Sequence, residues 1–317
     1  MTNVAIACQG GGSHTAFTGG VLAELLPSFA GSDRELVGLS GTSGGAMSAA
    51  VAWYAYLDGG PEAVPDAVES LWTSVAARAP ADRAINTGLV SLSRARAGGA
   101  PFPEVSPYVN PGADFGQARL REVIEDHVDF ERVPDLLEPG SPRLVVGTVD
   151  INGGCFEAFV DGAVTADVLL ASAAVPDLFE AVEMDGHWHW DGLFSQNPPI
   201  HELLEVPARR KPDELWVVQI NPQTREGEPK SLFEIADRRN ELSGNLSLNQ
   251  ELRFVETVNE WVAEGKLDDD EHRHVEVRRL EFGRRLSCSS KLDRSPEFLG
   301  ELFETGRERA REFRDAL

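Results

Sequence analysis

Two glycine-rich turns and one late aspartate hold the residue types in this chain that could do chemistry. Gly41-Thr42-Ser43-Gly44-Gly45 fits the pattern G-x-S-x-G. In such a turn a serine sits on a sharp bend between strand and helix, and side chains at the flanking glycines would collide with neighbouring backbone. The bend exposes the Ser43 hydroxyl and sets it near the positive end of a helix dipole, which favours developing negative charge. Five residues matching three letters are weak evidence alone, and a glycine-rich surface turn is the plain alternative. The context supports the nucleophile: an apolar strand at 36–40 precedes the turn, and an apolar helix from 46 to about 57 follows it.

Gln9-Gly10-Gly11-Gly12-Ser13-His14 leaves an earlier strand in the same way. Consecutive glycines let backbone N–H groups point into one cavity, as an oxyanion hole requires. Gly10, Gly11 and Gly12 are therefore the candidate donors, with the Gly44 amide beside Ser43 in support. The rival reading is a dinucleotide phosphate loop. Gly10 and Gly12 supply its first two glycines, but Thr15 stands where the third belongs, and no convincing second strand leads to Asp33 or Glu35.

A hydrolytic serine also needs a base. His187-Trp188-His189-Trp190-Asp191-Gly192 alternates like a strand, so His187, His189 and Asp191 share one face. Asp191 ends that strand where a turn begins, and it is the candidate base. His189 is the candidate that would make a triad instead; strand positions i and i+2 lie roughly 6.5 Å apart, which leaves direct contact open. His14, beside the glycine loop, is a second supporting candidate, with local packing as its plainer reading. His187, His201, His272 and His274 read as surface or interface polar groups. No His, Asp or Glu cluster has metal-ligand spacing, so neither a metal nor another cofactor is expected.

The elements that must position these residues alternate along the chain. Apolar runs predict strands at 4–9, 36–40, 143–149, 155–160, 182–190 and 215–220. Helical spacing predicts helices at 15–26, 46–57, 61–77, 165–172, 231–265 and 296–313, with Gly244 weakening the middle of the fifth. Asn197-Pro198-Pro199 is expected to start another, because proline is favoured in a first helical turn. Phe298, Leu302 and Phe313 are the expected packing residues of the last helix. Strand, glycine turn and helix occur twice in succession, which predicts an α/β fold with a largely parallel sheet. One domain over 1–317 is the simplest organisation, with a helical C-terminal region from about 231. A Gly-, Pro-, Ser- and Arg-rich stretch at about 92–112 is either a lid over the site or a plain surface loop.

Charge and cysteine content narrow the setting. Fifty-two acidic residues face 29 basic ones, a net charge of −23 at pH 7. Such a surface repels nucleic acid and anionic headgroups, so no nucleic-acid partner is expected. The only lysines are Lys211, Lys230, Lys266 and Lys291. Excess carboxylate with little lysine suits a salt-rich cytoplasm, where self-repulsion is screened. The first residues run directly into an apolar strand, without a basic stretch and cleavage site, so a cytoplasmic chain is expected. Cys8, Cys155 and Cys288 are far apart; Cys8 and Cys155 fall in predicted strands, where a thiol serves as a small buried hydrophobe.

Taken in order, the glycine loop 10–12, the elbow 41–45 and Asp191-Gly192 resemble the patatin-like phospholipases. The chain is most similar to a bacterial and archaeal branch whose first motif reads Q-G-G-G-x-H followed by A-F, matched by residues 9–14 and Ala16-Phe17. Residues 171–176 with Phe179, Trp190-Asp191-Gly192, Asn197-Pro198, residues 218–222 and Ser289-Ser290-Lys291-Leu292 extend the likeness over nearly the whole chain. Many relatives carry Arg or Lys in the first motif and a glycine soon after, where this chain has His14 and Thr15; their Asp-Gly-Gly or Asp-Gly-Ala is here Asp191-Gly192-Leu193. The resemblance implies a three-layer α/β/α sandwich and a Ser–Asp dyad of Ser43 and Asp191. It also implies an oxyanion loop at Gly10–Gly12 and hydrolysis of acyl esters of lipids, with transient contact with a lipid surface. A polyhydroxyalkanoate or other ester as substrate, and a non-catalytic binding protein on the same fold, are the alternatives.

Overall fold

The computed structural model describes residues 1–317 apart from 101, 103, 104, 269 and 270. The described strands form one eight-stranded sheet: β1 (Thr2–Cys8), β2 (Arg34–Gly41), β3 (Arg143–Asp150), β4 (Cys155–Val160), β5 (Val182–Met184), β6 (His187–Asp191), β7 (Glu214–Gln219) and β8 (Glu276–Glu281). Their order is β5-β6-β3-β2-β1-β7-β8, with β4 paired to β3. The five strands from β3 to β8 along this order are parallel, whereas β4, β5 and β6 join antiparallel.

Helices cover both faces. On one side lie α1 (Ala16–Leu25), α2 (Gly44–Gly59), α3 (Val64–Val75), α5 (Pro111–His127), α6 (Val133–Leu136), α7 (Ala166–Ser172) and α10 (Pro296–Asp315), numbered with α4 (Pro80–Ala97) in chain order. The other side is covered by α8 (His201–Leu204) and α9 (Leu232–Ala263), and α4 packs on α9 and on the 288–292 turn. Strand alternation divides the core in two. Val4, Ile6, Cys8, Trp216 and Val218 face the cluster built with α1, α2, α3 and α10, while Ala5, Ala7, Leu215 and Val217 face one built with α8 and α9. The molecule is thus a three-layer α/β/α sandwich with a mostly parallel sheet. Successive β1 residues are buried on both faces, as central parallel strands require.

Several expected elements are changed. The single strand expected at 182–190 is a hairpin, because Asp185 and Gly186 both take positive φ and turn β5 into β6. The helix expected at Asn197-Pro198-Pro199 starts only at His201. The stretch at 92–112 is partly helical: residues 92–97 close α4 and 111–112 open α5. Of that expected cover, residues 101, 103 and 104 lie outside the described residues. Helix α9 is unbroken at Gly244 and starts with a reciprocal cap, in which Ser231 Oγ accepts from the Glu234 N–H and the Glu234 carboxylate accepts from the Ser231 N–H. Cys155 is exposed rather than buried, since β4 pairs with β3 alone and its first residues face solvent. In α10, Leu299, Leu302 and Phe303 are buried, and Phe298 and Phe313 pack against the same core from its edge.

Candidate active site

Ser43 stands between the end of β2 and the first turn of α2, with φ 57° and ψ −133°. Positive φ is costly for a residue with a β-carbon, roughly 1–3 kcal/mol, and persists only where the surroundings hold it. They do so here. The Ser43 N–H donates to Ser172 Oγ at 2.9 Å, and the Ser172 hydroxyl donates to the Gly147 carbonyl at 2.8 Å. The end of α7 and strand β3 therefore brace the bend. Thr42 Oγ1 donates to the Gln196 carbonyl at 2.8 Å, tying the turn to the chain after Asp191. Gly45 packs so closely on the carbonyls of Cys8 and Gln9 that no β-carbon fits there, which accounts for the last glycine of the motif.

Asp191 arrives on β6. Along β3, Gly41 pairs with Val146 and Asp191 with Thr148, two positions apart, so the ends of β2 and β6 meet on one strand. Gly192 lies against the Gly147 carbonyl and the Thr42 methyl, where a side chain would not fit. The Asp191 carboxyl is fully buried. Its Oδ1 accepts the Leu193 N–H at 2.9 Å, while Oδ2 is buried with no hydrogen-bond partner among the described residues. Burial pushes its pKa up to about 7, against the smaller opposing pulls of the Leu193 N–H and the nearby Ser43 hydroxyl. Ser43 and Asp191, 148 positions apart in sequence, are thus neighbours. Leu193 does not take positive φ, so its bulk is accommodated.

The glycine loop packs against the bend: a β-carbon on Gly10 would lie 2.9 Å from that of Ser43 and 2.6 Å from the Thr42 carbonyl oxygen. The Gly10 N–H, however, already donates to Asn197 Oδ1 at 2.6 Å. Gly11 and Gly12 have amides without hydrogen-bond partners among the described residues, and Gly12 reaches solvent with φ 59°. The Gly44 amide, in the first turn of α2, is likewise without one. Thr15 fills the place where relatives were expected to carry glycine. Its hydroxyl donates to the Gly12 carbonyl at 2.5 Å and packs against Gly44.

The histidines lie apart from this chemistry. His189 is buried, with Nε2 on Glu157 Oε2 at 2.9 Å and Nδ1 on the His187 carbonyl at 3.2 Å, so both ring nitrogens are engaged away from Ser43. His187 pairs with Asp150 at 2.7 Å. His14 is buried behind the glycine loop. Ser290 donates its hydroxyl proton to the Ser287 carbonyl, so His14 Nε2–H is the donor in the 2.7 Å contact between the two side chains. Burial, and secondarily the charge of Lys291, push the His14 pKa down to about 3, which keeps the ring neutral. The contact joins the 288–292 turn to the loop, and the Lys291 carbonyl lies against Gly12.

Ser172, Asn197 and Asn221 fall within segments that carry the family resemblance, but sequence reasoning gave none of them a role, and it did not name Asn245. Their contacts join residues far apart in the chain, and the spacing within each segment does not say what a serine or asparagine there will hold.

The profile of the family described as patatin-like phospholipase matches residues 6–204, a span that contains the glycine loop, the elbow and Asp191. No curated protein matches the chain. Among solved structures, VipD from Legionella pneumophila is 14% identical, with 99% of this chain and 67% of that one covered, at a TM-score of 0.48. The type III effector ExoU is 14% identical over 96% of this chain and 52% of that one, at 0.34. ExoU in complex with SpcU, from Pseudomonas aeruginosa, is 12% identical over 98% and 53%, at 0.29. The chain therefore spans about half to two thirds of these structures. With the family profile covering well over half of its length, the chain belongs to the patatin-like phospholipase family.

Proposed function

We propose that the chain is a serine hydrolase of acyl esters in lipids, with Ser43 as nucleophile and Asp191 as its only base. The observation that carries this reading is the buried carboxylate of Asp191 beside Ser43, with one oxygen held by Leu193 and the other free to take a proton. An exposed aspartate is too weak a base near neutral pH; a desolvated one is better matched to a serine hydroxyl.

As the Ser43 oxygen attacks the ester carbonyl carbon, its proton passes to Asp191. The negative charge gathers on the former carbonyl oxygen and is met by the free amides of Gly11 and Gly12, with Gly44 available in support. Collapse of this intermediate breaks the bond to the alcohol, which leaves with the proton held by Asp191. Water then attacks the acyl-enzyme, gives a proton to Asp191, and Ser43 regains it as the carboxylic acid departs. Engagement of both His189 nitrogens favours a dyad over a triad.

A lipid substrate is supported by the surface around the bend. Leu178 and Phe194, on segments flanking Asp191, are exposed, and so are Leu242 and Leu246 on α9, which hydrogen-bonds the Phe194 carbonyl through Ser243. With a net charge of −23, the chain would approach uncharged or zwitterionic headgroups more readily than anionic ones.

Ser43→Ala and Asp191→Asn are each expected to abolish turnover with the melting temperature held or raised, while His189→Phe keeps most of it. A fluorophosphonate should modify Ser43 in the folded wild type. Turnover across phospholipids, p-nitrophenyl esters and hydroxybutyrate oligomers identifies the ester. Full activity in Asp191→Asn would sink the dyad, and an unmodified Ser43 would favour a binding protein.

A further inference from the structure

Gly10 is gripped at both of its backbone polar groups. Its N–H donates to Asn197 Oδ1 at 2.6 Å, and its carbonyl accepts from Asn221 Nδ2 at 2.9 Å. Both asparagines are buried, and both come from far along the chain: Asn197 from the segment after the base, Asn221 from the end of β7. A second layer holds the first. Gln9 Oε1 accepts the N–H groups of Ile220 and Asn221 at 2.9 and 2.8 Å. Gln9 Nε2 donates to Asn245 Oδ1 at 2.9 Å, and Asn245 Nδ2 donates to the Pro222 carbonyl at 3.0 Å. A buried polar network whose members are satisfied is rigid, because any displacement strands a polar group away from water.

The geometry of the peptide unit turns this grip into an aiming device. In a planar trans peptide the C=O and the following N–H point in opposite directions. Asn221 holds the Gly10 carbonyl, so the Gly11 N–H in the same plane is directed away from Asn221 and the protein interior behind it. That N–H is one of those without a partner among the described residues. Asn197 holds the N–H of the preceding unit, so both peptide planes that meet at Gly10 are tied by a buried side chain.

We infer that Asn197 and Asn221 are positioning residues that orient the Gly11 amide toward the oxyanion formed at Ser43. This rests on the serine-hydrolase reading above. Neither side chain touches substrate; both act through one backbone plane.

A charge-matched pair of substitutions tests the assignment. Asn197→Asp still offers an oxygen to the Gly10 N–H. Asn221→Asp replaces the donor to the Gly10 carbonyl with a second acceptor and turns attraction into repulsion. Assayed at a pH where the introduced carboxyls are ionised, both add one negative charge beside the same glycine. On a soluble p-nitrophenyl ester, Asn221→Asp is expected to lower kcat by about 100-fold, the scale of losing one oxyanion donor, with KM changed less than about threefold. Asn197→Asp is expected to lose about tenfold or less. Affinity for a boronic acid, which forms a tetrahedral adduct on serine, should fall in step with kcat/KM across the series.

Equal kcat losses in the two variants, or changes confined to KM and melting temperature, would overturn the assignment while leaving the nucleophile intact. If Asn221→Asp does not fold, Asn221→Ala removes the donor without adding an acceptor, and the same kcat-over-KM split is expected. A wild-type chain in which fluorophosphonate leaves Ser43 unmodified would overturn the underlying reading and this inference with it.

Discussion

At the scale of single residues, the decisive feature is a carboxylate kept from water. Burial favours the neutral form of Asp191, so in the fold it titrates at about 7. In the proposed mechanism the ionised form is the active one, so kcat/KM on a neutral ester should rise with pH through about 7 and then level off. A rate that is flat from pH 5 to 8 would mean that the base ionises freely. Stability runs the other way. A carboxyl whose folded pKa is raised stabilises the fold most below its unfolded value, near 4, and that contribution is lost as pH climbs through 7. Asp191→Asn removes the ionisation, so its melting temperature should exceed that of wild type by more at pH 8 than at pH 4. Ser43 was legible in the sequence because the steric demand of its bend is local and is written in adjacent glycines. Asp191 was legible from strand alternation and the turn after it. The engagement of Gly10 by Asn197 was not legible, because it joins residues 187 positions apart.

At the scale of elements, α9 behaves as a wall of the site. Its Gly244, which sequence reasoning takes as a weakness, is where the helix comes closest to Asn197. A β-carbon there would lie 2.8 Å from Asn197 Nδ2 and 3.2 Å from its Cβ. In an exposed helix, glycine to alanine gains about 1 kcal/mol. Here Gly244→Ala is expected to lower kcat several-fold through Asn197, with little gain in melting temperature; a stabilised and fully active variant would count against the contact. Helix α4 went unpredicted for a physical reason. Its outward face carries Ala81, Ala84, Ile85 and Leu89, while Asn86 and Ser93 are buried beside Val90, so polarity does not track burial. Buried Asn86 is satisfied by donating to Asp293 and accepting from the Arg294 N–H. Strand β8 escaped notice because, at the sheet edge, it is half-exposed and carries charges in mid-strand. The 182–190 hairpin had its Asp-Gly signal, overridden by the apolar run on either side.

Across the whole molecule, exposed apolar side chains gather on the elements around the bend. Ile85 and Leu89 on α4, Leu232, Ile235, Leu242 and Leu246 on α9, and Val105, Tyr108 and Val109 between α4 and α5 are all exposed. Helix α4 packs on α9 and on the 288–292 turn, and that turn packs on the glycine loop. Ile235→Asp with Leu246→Asp should reduce turnover of vesicle-borne phospholipid about tenfold or more, with hydrolysis of a soluble p-nitrophenyl ester little changed. Equal loss on both substrates would assign these residues to the fold instead. Among the described residues no helix is long and apolar enough to cross a membrane. The largely parallel α/β sheet followed from repeated strand–turn–helix units and the three-layer plan from the family resemblance, whereas the antiparallel edge followed from neither, because pairing partners of short strands are chosen by the assembled sheet. That edge has a consequence for synthesis. Strand β3 receives the nucleophile's strand on one register and the base's strand on another, and the second is made 148 residues after the serine. On the proposed reading, a growing chain therefore carries a silent hydroxyl until at least residue 191 has been made. Ser43 then gains its proposed base only when the β5–β6 hairpin pairs with β3.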